Sequence, residues 1–238
     1  MISVCLTTFN GEKYIKKQLD SILLQLSEND EVIISDDGSS DETLSIINNF
    51  HDSRIKVLHH KQNNKESNHR KATANFENAL QHAQGDYIFL SDQDDVWLPN
   101  KVNICISELK QHDFVVHNMK VMNSDEEIIR NSFFSSDVKL PESWFSVVIK
   151  LKFYGCCMAF NKKVLDYILP IPYSVIGHDY WIFALAIKSF ICSYISEPLI
   201  IYREHSDSVS YNKKTSLLYK ISYRMALLWN ILNKHREK

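Results

Sequence analysis

Residues 84–102 read QGDYIFLSDQDDVWLPNKV. Gly85 breaks what precedes it, and Asp86 to Ser91 is a short apolar, β-favouring run. The run stops in Asp92-Gln93-Asp94-Asp95, and Pro99 opens a helix to about Gln111. A strand ending in carboxylates and leading to a helix is a βα unit, and the same pattern recurs towards the N-terminus. Ile2 to Thr7 is a strand that stops at Asn10-Gly11, followed by a helix with Tyr14, Ile15, Leu19, Ile22, Leu23 and Leu26 at helical spacing. Glu31 to Ser35 is a second strand, ended by Asp36-Asp37-Gly38-Ser39-Ser40. Ser40 is expected to cap a helix carrying Leu44, Ile47 and Phe50. Ile55 to His59 and a helix over 68–83 complete the first half. Strand and helix alternate with no long hairpin, which predicts an α/β fold with a mainly parallel sheet and helices on both faces.

Beyond residue 112 the pattern loosens. Phe114 to Met122 reads as a strand, 141–150 as a helix, and 156–160 as a strand. A helix from His178 to about Phe190, strands at 191–196 and 198–203, and a basic helix over about 215–236 follow. No repeat or low-complexity linker marks a boundary. The expected organisation is one domain over 1–210, with a nucleotide-binding half (1–112) and an acceptor half (113–210), plus a helical tail over 211–238.

Composition narrows the function. Of 238 residues only five are glycine, where about 7% usage would give roughly seventeen. They stand at 11, 38, 85, 155 and 177, too far apart for GxGxxG, for a P-loop or for a GxSxG elbow. Net charge is −2, which argues against a dedicated nucleic-acid binder. The five cysteines show no CxxC spacing, so they are expected to be reduced and mostly buried. No basic segment precedes the first apolar run and no long uncharged apolar run occurs, so a cytoplasmic protein without a signal peptide or membrane span is expected.

In open parallel sheets, ligands bind outside the carboxyl ends of the strands. Thr7, Thr8, Asn10, Gly11, Asp36, Asp37, Asp92, Asp94 and Asp95 all fall just after predicted strands. Five carboxylates at one edge repel one another unless a cation or donor offsets them. Asp92 and Asp94 are the natural metal pair, and hard oxygen ligands suit Mn2+ or Mg2+. A calcium EF-hand is excluded, because Trp97 and Asn103 occupy the positions that need Gly and Glu.

Together these segments resemble glycosyltransferase family 2, the inverting transferases of GT-A fold. The resemblance runs through TTFNG (7–11), ISDDGSSDET (34–43), the 84–102 segment, YGCCMAFNKKVL (154–165), GHDYW (177–181) and YREHSDSVS (202–210). The DQDDVW form looks most like bacterial enzymes that build lipopolysaccharide and capsule. The resemblance implies that Thr7 and Asp37 hold the nucleotide base, with Asp36, Thr8 and Asn10 in the same pocket. A carboxylate at Asp37 fits the ring N–H of uracil or thymine, hence a UDP- or dTDP-sugar. It further implies that Asp92, Asp94 and Asp95 hold metal and diphosphate, with Asp94 the first choice for coordination. Asp179 aligns with the catalytic base, and His178 stands where a Glu is usual. His205 is a candidate late metal or phosphate ligand, and Arg203 is expected to face the diphosphate. Trp97 and Trp181 are candidates for stacking on sugar, or equally for packing.

The implied reaction is a single displacement that inverts the anomeric carbon, with a glycan or lipid-linked glycan as acceptor. Two other readings stand beside it. Asp92-Gln93-Asp94-Asp95-Val96 fits the nucleophile motif of haloacid-dehalogenase-type phosphatases, with Asp92 and Asp94 as the working pair. An inactive, sugar-binding relative is the other. In the tail, Leu217, Leu218, Ile221, Met225, Leu228, Trp229 and Leu232 recur at helical spacing among Lys213, Lys214, Lys220, Arg224, Lys234, Arg236 and Lys238. That pattern suits a helix over 213–238 lying on an anionic membrane surface at the cytoplasmic face, or one docked on protein.

Overall fold

A computed structural model of the chain describes residues 1–60, 66–135, 137–150, 152–205 and 216–234. The apolar runs of the first half form strands β1 (Ile2–Thr8), β2 (Glu31–Asp36), β3 (Ile55–His59) and β4 (Tyr87–Asp92). Six of the seven residues of β1 and all six of β2 are buried, so both faces of the sheet are covered there. Between the strands run α1 (Ile15–Leu23), α2 (Thr43–Asn48) and α3 (Asn68–Gln81). Helix α1 buries Ile15, Leu19 and Ile22, the stripe its sequence predicts. The Ser67 hydroxyl caps α3 by accepting from the Arg70 amide.

After β4 come β5 (Val96–Trp97), α4 (Lys101–Leu109), β6 (Phe114–Met122), β7 (Ile128–Arg130), α5 (Trp144–Ile149), a 3-10 turn at Gly155–Cys157 and β8 (Met158–Asn161). Helices α6 (Lys162–Ile168) and α7 (His178–Ser189), strand β9 (Cys192–Arg203) and helix α8 (Leu217–Asn233) complete the described chain. The sheet order is β3-β2-β1-β4-β8-β6-β9-β5, with β7 on β6. The first four strands are parallel, as expected. Beyond them the sheet is mixed, because β8 lies antiparallel between β4 and β6 while β9 returns parallel to β6.

Register positions the site. Thr7 lies opposite Ser35 and Asp92, and Thr8 opposite Asp36, so three parallel strands end level. Strand β9 pairs with both β5 and β6, which carries Arg203 back to the same edge.

Three readings change. Helix α2 starts at Thr43 after Glu42, not at Ser40, because the Ser40 amide donates to Asn10 Oδ1 instead of opening a helix. The two strands read at 191–196 and 198–203 are one strand, with register shifts where Pro198 faces Asn118. Helix α6 went unread, since its stretch begins with lysines directly after a strand. Residues on both sides of 112–113 share one sheet and one buried core. The boundary at 210–211 and residues Lys213, Lys214, Arg236 and Lys238 lie outside the described residues.

Candidate active site

At the carboxyl ends of the strands, β1 and β2 are laced together by their loops. Asp36 accepts from the Thr8 hydroxyl at 2.8 Å and from the amides of Gly38 and Ser39 at 3.1 and 2.9 Å. Asn10 donates its amide to Ser39 Oγ and accepts the Ser40 amide, both at 2.9 Å. Thr8, Asn10 and Asp36 are therefore spent on tying the two loops together. Asp37 donates its amide to the Thr8 carbonyl, and its carboxylate meets His60 Nδ1 at 2.8 Å.

Gln93, the unspecified position of the acidic motif, joins these loops to β4. Its Oε1 accepts the Phe9 amide at 2.9 Å and its Nε2 donates to the Phe9 carbonyl at 3.1 Å. A Cβ on Gly11 would stand 2.2 Å from that Oε1, so any other residue there would displace the Gln93 amide. Gln18, fully buried on α1, donates to Ser91 Oγ and to the Asp92 carbonyl at 2.6 and 2.9 Å. Sequence reading missed Gln93, Gln18 and His60. Gln18 had a signal, since it is a polar residue on the apolar face of α1.

The acidic turn is held by β9. The Arg203 amide donates to Asp95 Oδ1 at 3.3 Å and its Nε to the Asp94 carbonyl at 3.1 Å. Its guanidinium also pairs with Glu126 at 2.9 Å and lies over the Tyr14 ring. Arg203, expected to face the diphosphate, has a side chain 2% exposed and braces the acidic turn. His205 Nε2 meets Asp94 Oδ2 at 2.7 Å, while its Nδ1 is buried with no hydrogen-bond partner in the described residues.

Burial raises the pKa of three of these carboxylates. Burial, then the charges of Asp94 and Asp179, pushes Asp92 up to about 7. Burial, then Asp94 and Asp92, raises Asp95 well above the usual carboxylate range. Burial raises Asp179 to about 6. The charge of Asp179 acts on Asp92, so the start of α7 lies near the acidic turn.

Asp179 opens α7, where its Oδ1 accepts the Tyr180 amide at 2.9 Å. His178 stacks on Phe76 at 3.9 Å, and burial drives its pKa down to about 3, so it is neutral. Gly155 faces this pair; a Cβ there would lie 2.8 Å from His178 Nε2. The two tryptophans are packing residues, not sugar platforms. Trp97 is 3% exposed against Phe89 and Lys101, and Trp181 is fully buried with its indole donating to the Ile168 carbonyl.

The donor set fits a divalent metal. Carboxylates at Asp92, Asp94 and Asp95 and the imidazole of His205 offer hard and borderline ligands, and the unpartnered oxygen of Asp95 is available. Asp92, Asp94 and His205 are the residues that would hold Mn2+ or Mg2+.

A family description, Glycosyl transferase family 2, matches residues 3–169. The chain belongs to that family. In E. coli, the UDP-Glc:alpha-D-GlcNAc-diphosphoundecaprenol beta-1,3-glucosyltransferase WfgD is 30% identical over 220 residues, covering 90% of this chain and 81% of WfgD. Among solved structures, S. aureus TarS 1–349 in complex with UDP-GlcNAc superposes with a TM-score of 0.68 at 19% identity, over 98% of this chain and 72% of TarS. The mannosyltransferase PcManGT from Pyrobaculum calidifontis, in complex with GDP-Man and Mn2+, gives 0.59 at 18% identity, over 99% and 73%. The fold is accordingly GT-A, and this family 2 member is a nucleotide-sugar glycosyltransferase. The phosphatase reading of Asp92 and Asp94 falls with that assignment.

Proposed function

We propose that this family 2 transferase moves a sugar from a UDP-sugar, or a dTDP-sugar, to a hydroxyl of a lipid-diphosphate-linked glycan during surface-polysaccharide synthesis. The observation that carries the reading is the level ending of β1, β2 and β4, which sets Thr7 beside Asp92 and Thr8 beside Asp36, with Asp179 close enough for its charge to act on Asp92. WfgD acts from UDP-Glc on a diphosphoundecaprenol-linked acceptor, which supports both the donor and acceptor classes.

In this reading Asp37 and Thr7 hold the base, and Asp94 and His205 hold a Mn2+ or Mg2+ ion with Asp92. That ion supplies electrostatic stabilisation of the departing diphosphate. Asp179, made more basic by burial, takes the proton of the acceptor hydroxyl. The oxygen then attacks the anomeric carbon from the side opposite the nucleotide, and the centre inverts. His178 is neutral and adds no negative charge beside the base, where a Glu would. A screen of UDP- and dTDP-sugars for binding and turnover with Mn2+ tests the reading. Turnover of no nucleotide sugar, with purified lipid-linked acceptors present, would overturn it.

The surface supports work at the cytoplasmic face of a membrane. Helix α8 docks on the body through Leu227 and Ile231, yet leaves Leu218, Ile221, Met225, Trp229 and Leu232 exposed. Phe145 and Ile149 of α5 are exposed as well, and the half-buried Lys220 and Arg224 add positive charge to α8. No helix among the described residues is long and apolar enough to cross a membrane.

A further inference from the structure

The connection between α6 and α7, residues 169–177, contains no helix or strand, yet it leads straight to Asp179 in the first turn of α7. Backbone groups in such a segment need partners from elsewhere, and one face of α3 supplies them. Arg70 donates through Nη1 to the Val175 carbonyl at 3.2 Å. Thr73 Oγ1 accepts the Gly177 amide and Glu77 Oε1 the Ile171 amide, both at 2.9 Å. Positions 70, 73 and 77 recur at i, i+3 and i+7, so they stand in one row along the helix. Thr73 and Arg70 are buried, and the Arg70 guanidinium lies over the Tyr173 ring at 4.8 Å, within 4.0 Å of Glu77. From another face of α3, Asn78 donates to Ser35 Oγ at 2.8 Å and Asn75 to the Thr8 carbonyl at 3.4 Å. The transfer reaction leaves the row on α3 without a task.

We propose that Arg70, Thr73 and Glu77 are positioning residues, which fix the 169–177 connection on α3 and so set where the Asp179 carboxylate stands. The inference rests on the reading of Asp179 as the base. The link from the row to the carboxylate is short. Gly177 has a φ of 92°, and a Cβ there would stand 3.1 Å from Asp179 Oδ1. The amide that Thr73 holds thus belongs to the residue beside the base. The Gly177 carbonyl in turn accepts the Trp181 amide at 3.3 Å, so a shift of Gly177 carries the first turn of α7 with it. Phe76 adds a fourth grip by stacking on His178. A base must lie within hydrogen-bond reach of the hydroxyl it deprotonates, and a misplacement of about 1 Å costs on the order of 10²-fold in rate. The Thr73 hydroxyl has both its roles filled, since it also donates to the His69 carbonyl at 2.8 Å. Because α3 also holds Thr8 and Ser35, one helix sets the spacing between the carboxyl ends of β1 and β2 and the base.

Transfer kinetics on the full chain test the row, using the nucleotide sugar that the screen above selects and its free nucleoside diphosphate as the binding probe. Thr73→Val removes the hydroxyl at nearly constant volume. It should lower kcat about tenfold or more while affinity for the nucleoside diphosphate stays within about twofold. Thr73→Ser keeps the hydroxyl and should restore kcat to within about threefold. Glu77→Ala should act as Thr73→Val does, whereas Glu77→Gln, which keeps an acceptor oxygen, should not; this pair decides if Thr73→Val does not fold. In an Asp179→Asn background, Thr73→Val should cost less than about twofold in single-turnover rate, because a misplaced base loses nothing once the base is gone. A loss that multiplies through in that background would make the row a general support of the fold and overturn the proposal. Unchanged kcat in folded Thr73→Val and Glu77→Ala would overturn it too. Amide exchange over 170–178, which needs no substrate, should quicken in Thr73→Val and not in Thr73→Ser; equal protection in the two counts against the row. If Asp179→Asn alone transfers at the unmodified rate, the base reading itself fails, so the two failures are told apart.

Discussion

At the residue scale, one crevice runs two kinds of carboxylate chemistry because burial and neighbouring charge differ along it. Asp179 is raised by burial alone among the opposing causes, which suits a base that must hold a proton briefly and then release it. Asp179→Asn should lower kcat by about 10²–10⁴-fold while changing nucleotide-sugar affinity little, as read by calorimetry and turnover on one preparation. A parallel loss of binding would assign Asp179 to donor recognition instead. Because the base works ionised, kcat/KM should rise with pH through a limb near 6 and level above it. A limb that survives in Asp179→Glu but moves with the new carboxyl would strengthen the assignment.

Asp92 makes a stability prediction of opposite appearance. Its folded pKa, about 7, lies above the ordinary 3.8, so the metal-free fold favours the protonated form. That preference is fully present below about pH 4 and is lost as pH rises through 7. Asp92→Asn should therefore stabilise the metal-free protein at pH 8 by about 1–2 kcal/mol, or roughly 2–6 °C in Tm, and leave it unchanged at pH 4. Thermal melts in chelator at the two pH values decide it. The same variant should weaken Mn2+-dependent diphosphate binding.

At the scale of elements, loops rather than strands carry the contacts that join the site. Gln93 grips both backbone groups of Phe9, and Gly11 leaves the space in which it does so. Gly11→Ala should push Gln93 out of that grip and raise the donor KM about tenfold with a smaller change in kcat, an effect of about 1.4 kcal/mol. Adding Gln93→Ala to Gly11→Ala should cost little more, since the two act on one contact. Simple additivity in steady-state kinetics would show that Gly11 acts elsewhere. The strands themselves were legible because β1, β2 and β4 are continuous apolar runs closed by polar turns. Strand β7 was not, since all three of its residues are exposed and it exists only by pairing with β6. The cap at Ser40 failed for a related reason. Asn10, thirty residues earlier in the chain, takes the amide that a local capping rule assigns to the helix.

At the scale of the molecule, α8 shows how one helix serves two surfaces. Leu227 and Ile231 are fully buried against the body, while Trp229 is 68% exposed on the other side. Removing the helix would uncover core, so substitution is the cleaner probe. Trp229→Glu with Met225→Glu should abolish co-sedimentation with phosphatidylglycerol vesicles and leave Tm within about 1–2 °C. Retained vesicle binding would count against this face as the membrane contact.

The amino-acid order by itself determined the parallel first half, the acidic strand ends and the family, because each is written in contiguous residues with a local cause. Alternating strand and helix patterns need no partner to be read, and neither do Asp36-Asp37 or Asp92-x-Asp94-Asp95. Only the tertiary structure decided what each polar residue is bonded to. Arg203 braces the acidic turn through contacts with Asp94, Asp95 and Glu126, spread over more than a hundred residues of chain. Trp97 and Trp181 became core, His178 a neutral stacked ring, and Cys156 a neighbour of two carboxylates. Those outcomes depend on which segments the mixed half of the sheet brings together, and that pairing has no signature within any one stretch of sequence.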